Sequence, residues 1–127
     1  MVKDVYARSL PIDAGEVATY IPELSKANPD DFGVSIATAD GRLFEAGTCD
    51  RPFTIQSISK PFTFGMALEE LGHDKVFQHV GVEPSGDAFN SIQLQGDTNR
   101  PFNPMVNTGA ITVTALLHAI HGDRTLE

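Results

Sequence analysis

The amino-acid sequence predicts a mixed helix-and-strand chain of the α/β (α+β) class, and three stretches carry that expectation. Residues 32–38 alternate Phe32, Val34 and Ile36 with smaller or polar residues. Asp40-Gly41 then turns the chain into residues 42–47, which is a hairpin pattern. Residues 59–71 place Phe62, Phe64, Met66, Ala67, Leu68 and Leu71 around most of a helical circumference before Gly72 stops the run. Asn107-Thr108-Gly109 opens a third stretch, an apolar run over 110–120 that ends at Gly122. Two strands alone are marginal in water, so the hairpin is expected to pack against several helices.

Taken in order, residues 1–13 are mixed and read as an N-terminal arm ahead of a domain over 14–127. Asp13 is placed to cap a helix from Ala14 to about Asn28, with Val17, Tyr20, Ile21 and Leu24 on one face and a kink at Pro22. Asn28-Pro29-Asp30-Asp31 would end it. Beyond the hairpin, Pro61 falls in the first turn of the 59–71 helix, where a proline costs little. The wide apolar circumference of that helix predicts burial on several sides, which would keep water from a lysine at its start. A shorter helix is expected over 73–79, and residues 93–104 form a long polar loop of the kind that often carries function.

A length of 127 residues suits one small domain. The balance of 17 Asp plus Glu against 9 Lys plus Arg gives a net charge of −8, which argues against nucleic acid or an anionic membrane as partner. Cys49 is the single cysteine, so no internal disulfide ties the fold to an oxidising compartment. Residues 1–6 lack the apolar stretch of a secretion signal and no segment approaches a membrane-spanning length, so the expected location is cytoplasmic.

The chemistry-bearing stretch is Gln56-Ser57-Ile58-Ser59-Lys60, between the apolar stretches 53–55 and 61–71. If a helix begins near Ser57, Ser57 and Lys60 face the same side of its first turn. A serine hydroxyl needs a neighbour to take its proton, and a lysine can do so when its ammonium form is disfavoured. The helix start adds backbone N–H groups for a developing oxyanion. The same spacing also suits a serine cap followed by a solvated lysine.

Several ordered segments resemble one family. Residues 17–24 (Val-Ala-Thr-Tyr-Ile-Pro-Glu-Leu), Phe32-Gly33-Val34-Ser35 with Asp40-Gly41, and residues 52–60 (Pro-Phe-Thr-Ile-Gln-Ser-Ile-Ser-Lys) come first. Residues 83–90 (Glu-Pro-Ser-Gly-Asp-Ala-Phe-Asn) and 103–111 (Asn-Pro-Met-Val-Asn-Thr-Gly-Ala-Ile) follow. Together they resemble the serine-dependent glutaminases, which share the β-lactamase and penicillin-binding-protein fold. The resemblance implies hydrolysis of L-glutamine to L-glutamate and ammonia through a glutamyl-serine intermediate, with no metal or organic cofactor and with a homo-oligomer as the expected assembly. It implies Ser57 as nucleophile, Lys60 as general base and Tyr20 near the reacting groups, with Gln56, Ser57 and Asn107 contacting substrate. Asn107 equally suits a helix cap, and Tyr20 a half-buried aromatic on an amphipathic helix.

Members of that family continue beyond the match. Their further part is expected to bring a glutamate, a second asparagine, two tyrosines, the other oxyanion donor and strands completing the sheet. The fold over 14–127 is therefore expected to be incomplete and the activity of the chain alone low or absent. Thr108 stands where a small alanine is expected, and residues 93–100 depart from the family pattern.

Three other readings compete. A β-lactamase or penicillin-binding peptidase would add Ser-Asp-Asn and Lys-Thr-Gly, and neither triplet occurs. A non-catalytic module that associates with full-length glutaminase subunits fits a truncated copy. A metal site is the weakest, because His118 and His121 lack a third ligand at usable spacing.

Overall fold

In the computed structural model, which describes residues 1–126, the alternating stretch becomes β1 (Gly33–Ala37) and its partner β2 (Leu43–Gly47). The strands pair antiparallel with Gly33 opposite Gly47 and Ile36 opposite Phe44, so Val34 and Ile36 share one face. The turn is closed by Thr38 N–H donating to the Arg42 carbonyl at 2.9 Å and Gly41 N–H donating to the Thr38 carbonyl at 2.9 Å. The Thr38 hydroxyl also donates to the Asp40 carboxylate, and this bond, with that from the Arg42 guanidinium, holds the carboxyl below the usual aspartate value.

By its contacts the chain divides into two units, Met1–Thr54 and Ile55–Glu127. In the first unit, the segment expected to be an arm is a helix, α1 (Val2–Ser9), that packs on both strands. Val2 is buried and Tyr6 stacks on Phe32 with ring centroids 5.4 Å apart. An aromatic pair of this kind is worth about 0.5–1.5 kcal/mol beyond the area it buries. Asp4 in the first turn and Arg8 in the last complement the helix dipole. Within the stretch read as an arm, residues 2–9 thus form a helix that packs on the hairpin.

The helix expected over 14–28 does not form. That stretch is extended and turning, with one 3-10 turn at Leu24–Lys26. Pro22 has no N–H to donate and biases Ile21 away from helical dihedrals, and Gly15 adds a flexible point near the start. Of the apolar residues meant for one face, only Leu24 is buried, while Tyr20 and Ile21 are exposed. Without a surface to cover, so interrupted a segment has little to hold it helical.

The second unit is built from α2 (Ser59–Leu71), α3 (His73–Phe77) and α4 (Asn107–His121). Ala67 of α2 meets Val76, Val80, Val113 and Leu117 in a fully buried cluster, with Phe64, Leu68, Leu71 and Phe77 packed against it. Val113 and Leu117 stand four apart, as one helical face requires. Burial of α2 is one-sided, against expectation: Phe62 is 67% and Met66 50% exposed on the opposite side.

The long loop over 93–104 is tied down. Leu94 bridges Pro101, the Arg100 guanidinium donates to the Phe77 carbonyl at the end of α3, and Gly81 N–H donates to the Pro101 carbonyl at 2.9 Å. Glu70 reaches His121 Nε2 at 2.5 Å and so links the far ends of α2 and α4.

Two substitutions test these placements. Gly47 has φ +85°, and a Cβ there would stand 2.2 Å from the Phe32 carbonyl oxygen and 2.4 Å from the Tyr6 ring. Gly47→Ala is expected to lower the unfolding free energy by roughly 2 kcal/mol or more in urea titration, and an unchanged midpoint would count against this packing. Thr108 Oγ1 is buried at the start of α4 without a hydrogen-bond partner among the described residues. Thr108→Ala is expected to raise stability by about 0.5–1 kcal/mol, the relief of the stranded hydroxyl exceeding the loss of one buried methyl. A drop in stability would show that the hydroxyl is satisfied.

Candidate functional site

The polar run 56–60 folds as a 3-10 turn, Gln56–Ile58, that feeds directly into α2 at Ser59. Ser57 lies in that turn and Lys60 three residues on, in the first turn of α2. Ser57 is exposed and does not cap α2, whose N-cap is Ile58 with no side-chain hydrogen bond. Gln56 lies in the left-handed region at φ +43°, which for a residue bearing a Cβ costs about 1–2 kcal/mol. Strain of this size persists where surrounding structure over-determines the backbone, and here it sits one residue before the serine. The Ser59 hydroxyl donates back to the Gln56 carbonyl at 2.7 Å and helps close that turn.

Lys60 is not a solvated lysine. Its Nζ donates to Asn107 Oδ1 at 2.8 Å and to the Met105 carbonyl at 2.9 Å, and lies 5.7 Å from the Phe89 ring centroid. Two acceptor oxygens and a ring face thus lie around the nitrogen, which donates to both oxygens. Among the described residues its hydrogen bonds go to these groups and not to Ser57.

Asn107 reaches Lys60 because it is the first residue of α4, one inside the Val106 cap, and not itself the cap. Its backbone N–H donates to the Phe89 carbonyl at 2.8 Å, so the 89–90 turn and the α4 start are fixed together. The structure therefore brings together two of the residues predicted from sequence, Lys60 and Asn107, across 47 positions of chain. Gln56 and Ser57 lie on the adjoining turn. Tyr20 belongs to the first unit, on a bend and not a helix, with 74% of its surface exposed.

Sequence reasoning missed Met105 and Phe89 as neighbours of Lys60. Met105 acts through its backbone carbonyl, which leaves no trace in residue type. Only the place of Phe89 in the fold puts its ring beside the Lys60 nitrogen.

Comparison with known proteins gives the family. A family profile described as Glutaminase matches residues 15–127. Glutaminase 2 of Bradyrhizobium diazoefficiens is 54% identical over 114 residues, 90% of this chain and 18% of that protein. The glutaminase of Microcystis aeruginosa is 57% identical over 84% of this chain and 31% of its own length, and that of Trichormus variabilis 51% identical over 92% and 35%. The chain thus spans about a third or less of the curated relatives it matches. Among solved structures, Mglu in its tris and glutamate form superposes with a TM-score of 0.81 at 45% identity, over 91% of this chain and 26% of that one. The probable glutaminase ybaS gives a TM-score of 0.84 at 38% identity, over 91% and 38%. These glutaminase structures have the β-lactamase-like fold, and the hairpin and helices described above are of that class. With a match that runs from residue 15 to residue 127, the chain belongs to the glutaminase family.

Proposed function

We propose that this chain carries the nucleophile-bearing part of a glutaminase site, in which L-glutamine is hydrolysed to L-glutamate and ammonia through an ester on Ser57. One observation carries the reading: one turn beyond the exposed Ser57, the Lys60 nitrogen is held at 2.8 Å by Asn107. Mglu in its glutamate form, similar to this chain at 46% identity, adds support from outside it.

The proposed steps are these. Ser57 Oγ attacks the carbon of the substrate's side-chain amide while its proton passes to Lys60 in the neutral form. Negative charge on the amide oxygen is met by backbone N–H groups at the 56–59 turn, that of Ser57 among them, a term worth several kcal/mol in such sites. Lys60 then hands its proton to the departing nitrogen, the C–N bond breaks and ammonia leaves. Water cleaves the Ser57 ester by the reverse proton path and releases glutamate.

Asn107 spends its oxygen on Lys60, so its Nδ2 donors suit the α-carboxylate of the amino acid. Gln56 is assigned to substrate contact and Tyr20 to the catalytic group, both on family resemblance. The reading includes a cytoplasmic location and self-association, with L-glutamine as the small-molecule partner and no nucleic acid, membrane or cofactor.

A second reading is favoured by a specific surface. Ile58, Phe62 and Met66 leave the outer side of the 56–71 segment apolar and exposed, as on a module that docks against a longer glutaminase subunit. One experiment separates the two: ammonia release from L-glutamine by the purified chain and its Ser57→Ala variant, with size-exclusion of the chain mixed with a longer glutaminase. The proposed function predicts release that falls by roughly three orders of magnitude or more in Ser57→Ala. Co-elution without release by the chain would support the docking module instead.

A further inference from the structure

Asn103 is the joint of the loop that meets Lys60. Its Nδ2 donates to the Glu83 carbonyl at 2.9 Å, and its Oδ1 accepts from Met105 N–H at 3.0 Å and Val106 N–H at 3.2 Å. Its own carbonyl is pressed against the first turn of α4, where a Cβ on Gly109 would stand 1.9 Å from the Asn103 oxygen and 2.7 Å from its carbonyl carbon. Only a glycine can pass there, so Asn103 is gripped from the backbone side as well as through its side chain.

The consequence falls on the lysine. With Met105 N–H turned toward Asn103, the Met105 carbonyl is presented to Lys60 Nζ at 2.9 Å, and two residues later Asn107 Oδ1 arrives at 2.8 Å. We propose that Asn103 is a positioning residue for Lys60: its amide sets the 103–106 turn, and that turn delivers both oxygens that hold the nitrogen. The side chain type matters at each end. An aspartate keeps the acceptor for Met105 and Val106 but sets a second oxygen against the Glu83 carbonyl, and an alanine keeps neither end.

This deepens the proposed function and rests on Lys60 as its base, so the test has an arm that needs no turnover. The wild type, Asn103→Ala and Asn103→Asp are acetylated with limiting acetic anhydride, and labelling of Lys60 is read by peptide mass spectrometry relative to Lys26 and Lys75 in the same sample. Asn103→Ala is expected to raise the Lys60 ratio roughly two- to tenfold, the equivalent of about one net hydrogen bond. Asn103→Asp, losing only the Glu83 bond, is expected to fall between it and the wild type. Circular dichroism reports whether each variant is folded, and if the alanine variant is not, the aspartate variant decides. A Lys60 ratio equal to that of the wild type in a folded variant would overturn the proposal, as would a rise shared equally by all three lysines.

The kinetic arm follows ammonia release, where Asn103→Ala is expected to lower kcat by about 10- to 100-fold with KM within about twofold. A rise in KM alone would instead place Asn103 in substrate binding and overturn the assignment. If the wild type shows no release, the proposed function of the lone chain fails while the labelling arm still decides the role of Asn103.

Discussion

The Lys60 side chain joins the start of α2 to the start of α4. Lys60 starts from α2, and its two acceptors, Met105 and Asn107, lie 45 and 47 residues further on at the start of α4. A hydrogen bond is worth about 0.5–1.5 kcal/mol net, and up to about 3 when one partner is charged. The Glu70–His121 link holds the other end of the same two helices, where both side chains are 33% exposed. Between these ends the Ala67, Val113 and Leu117 contacts close the helices along their length. The two helix starts that carry Lys60 and Asn107 are thus fixed from both directions, as a site built on two separate segments requires.

The same unit also leaves large apolar side chains exposed. Phe62 and Met66 project opposite the buried cluster, and Ile111 is exposed on α4. Exposed apolar groups of this density on paired helices usually mark a surface meant to be covered. This is the physical basis on which the docking reading competes with the catalytic one. It also explains why the pattern of α2 suggested burial on several sides: the residues are suited to two contacts, and one of them is made within the described residues.

Much of this was legible in the sequence where a local rule dominates. The 32–47 hairpin follows from alternation plus Asp-Gly, and α2 and α4 end at Gly72 and Gly122 as their patterns require. The motif Ser-x-x-Lys was visible, and the family segments pointed to Asn107. The failures share a cause in tertiary context. Val17, Tyr20, Ile21 and Leu24 have helical spacing, yet Pro22 interrupts it, and among the described residues only a short 3-10 turn forms there. Residues 1–13 seemed featureless, yet Tyr6 finds Phe32 and a helix forms on the hairpin. Around Lys60, the partners Met105 and Phe89 were invisible because one contributes a carbonyl and the other a ring placed by a distant turn. The strain at Gln56 had no signal either, since glutamine is not a residue that announces a left-handed backbone.

The central claim is that Lys60 and Asn107 are energetically joined, and a double-mutant cycle on unfolding free energy tests it most directly. Lys60→Met and Asn107→Leu, singly and together, remove the bond while keeping much of each side chain's bulk. A coupling energy of about 1.5–3 kcal/mol is predicted. Additive effects, with coupling indistinguishable from zero, would contradict the claim and leave the two helix starts to be held by packing alone.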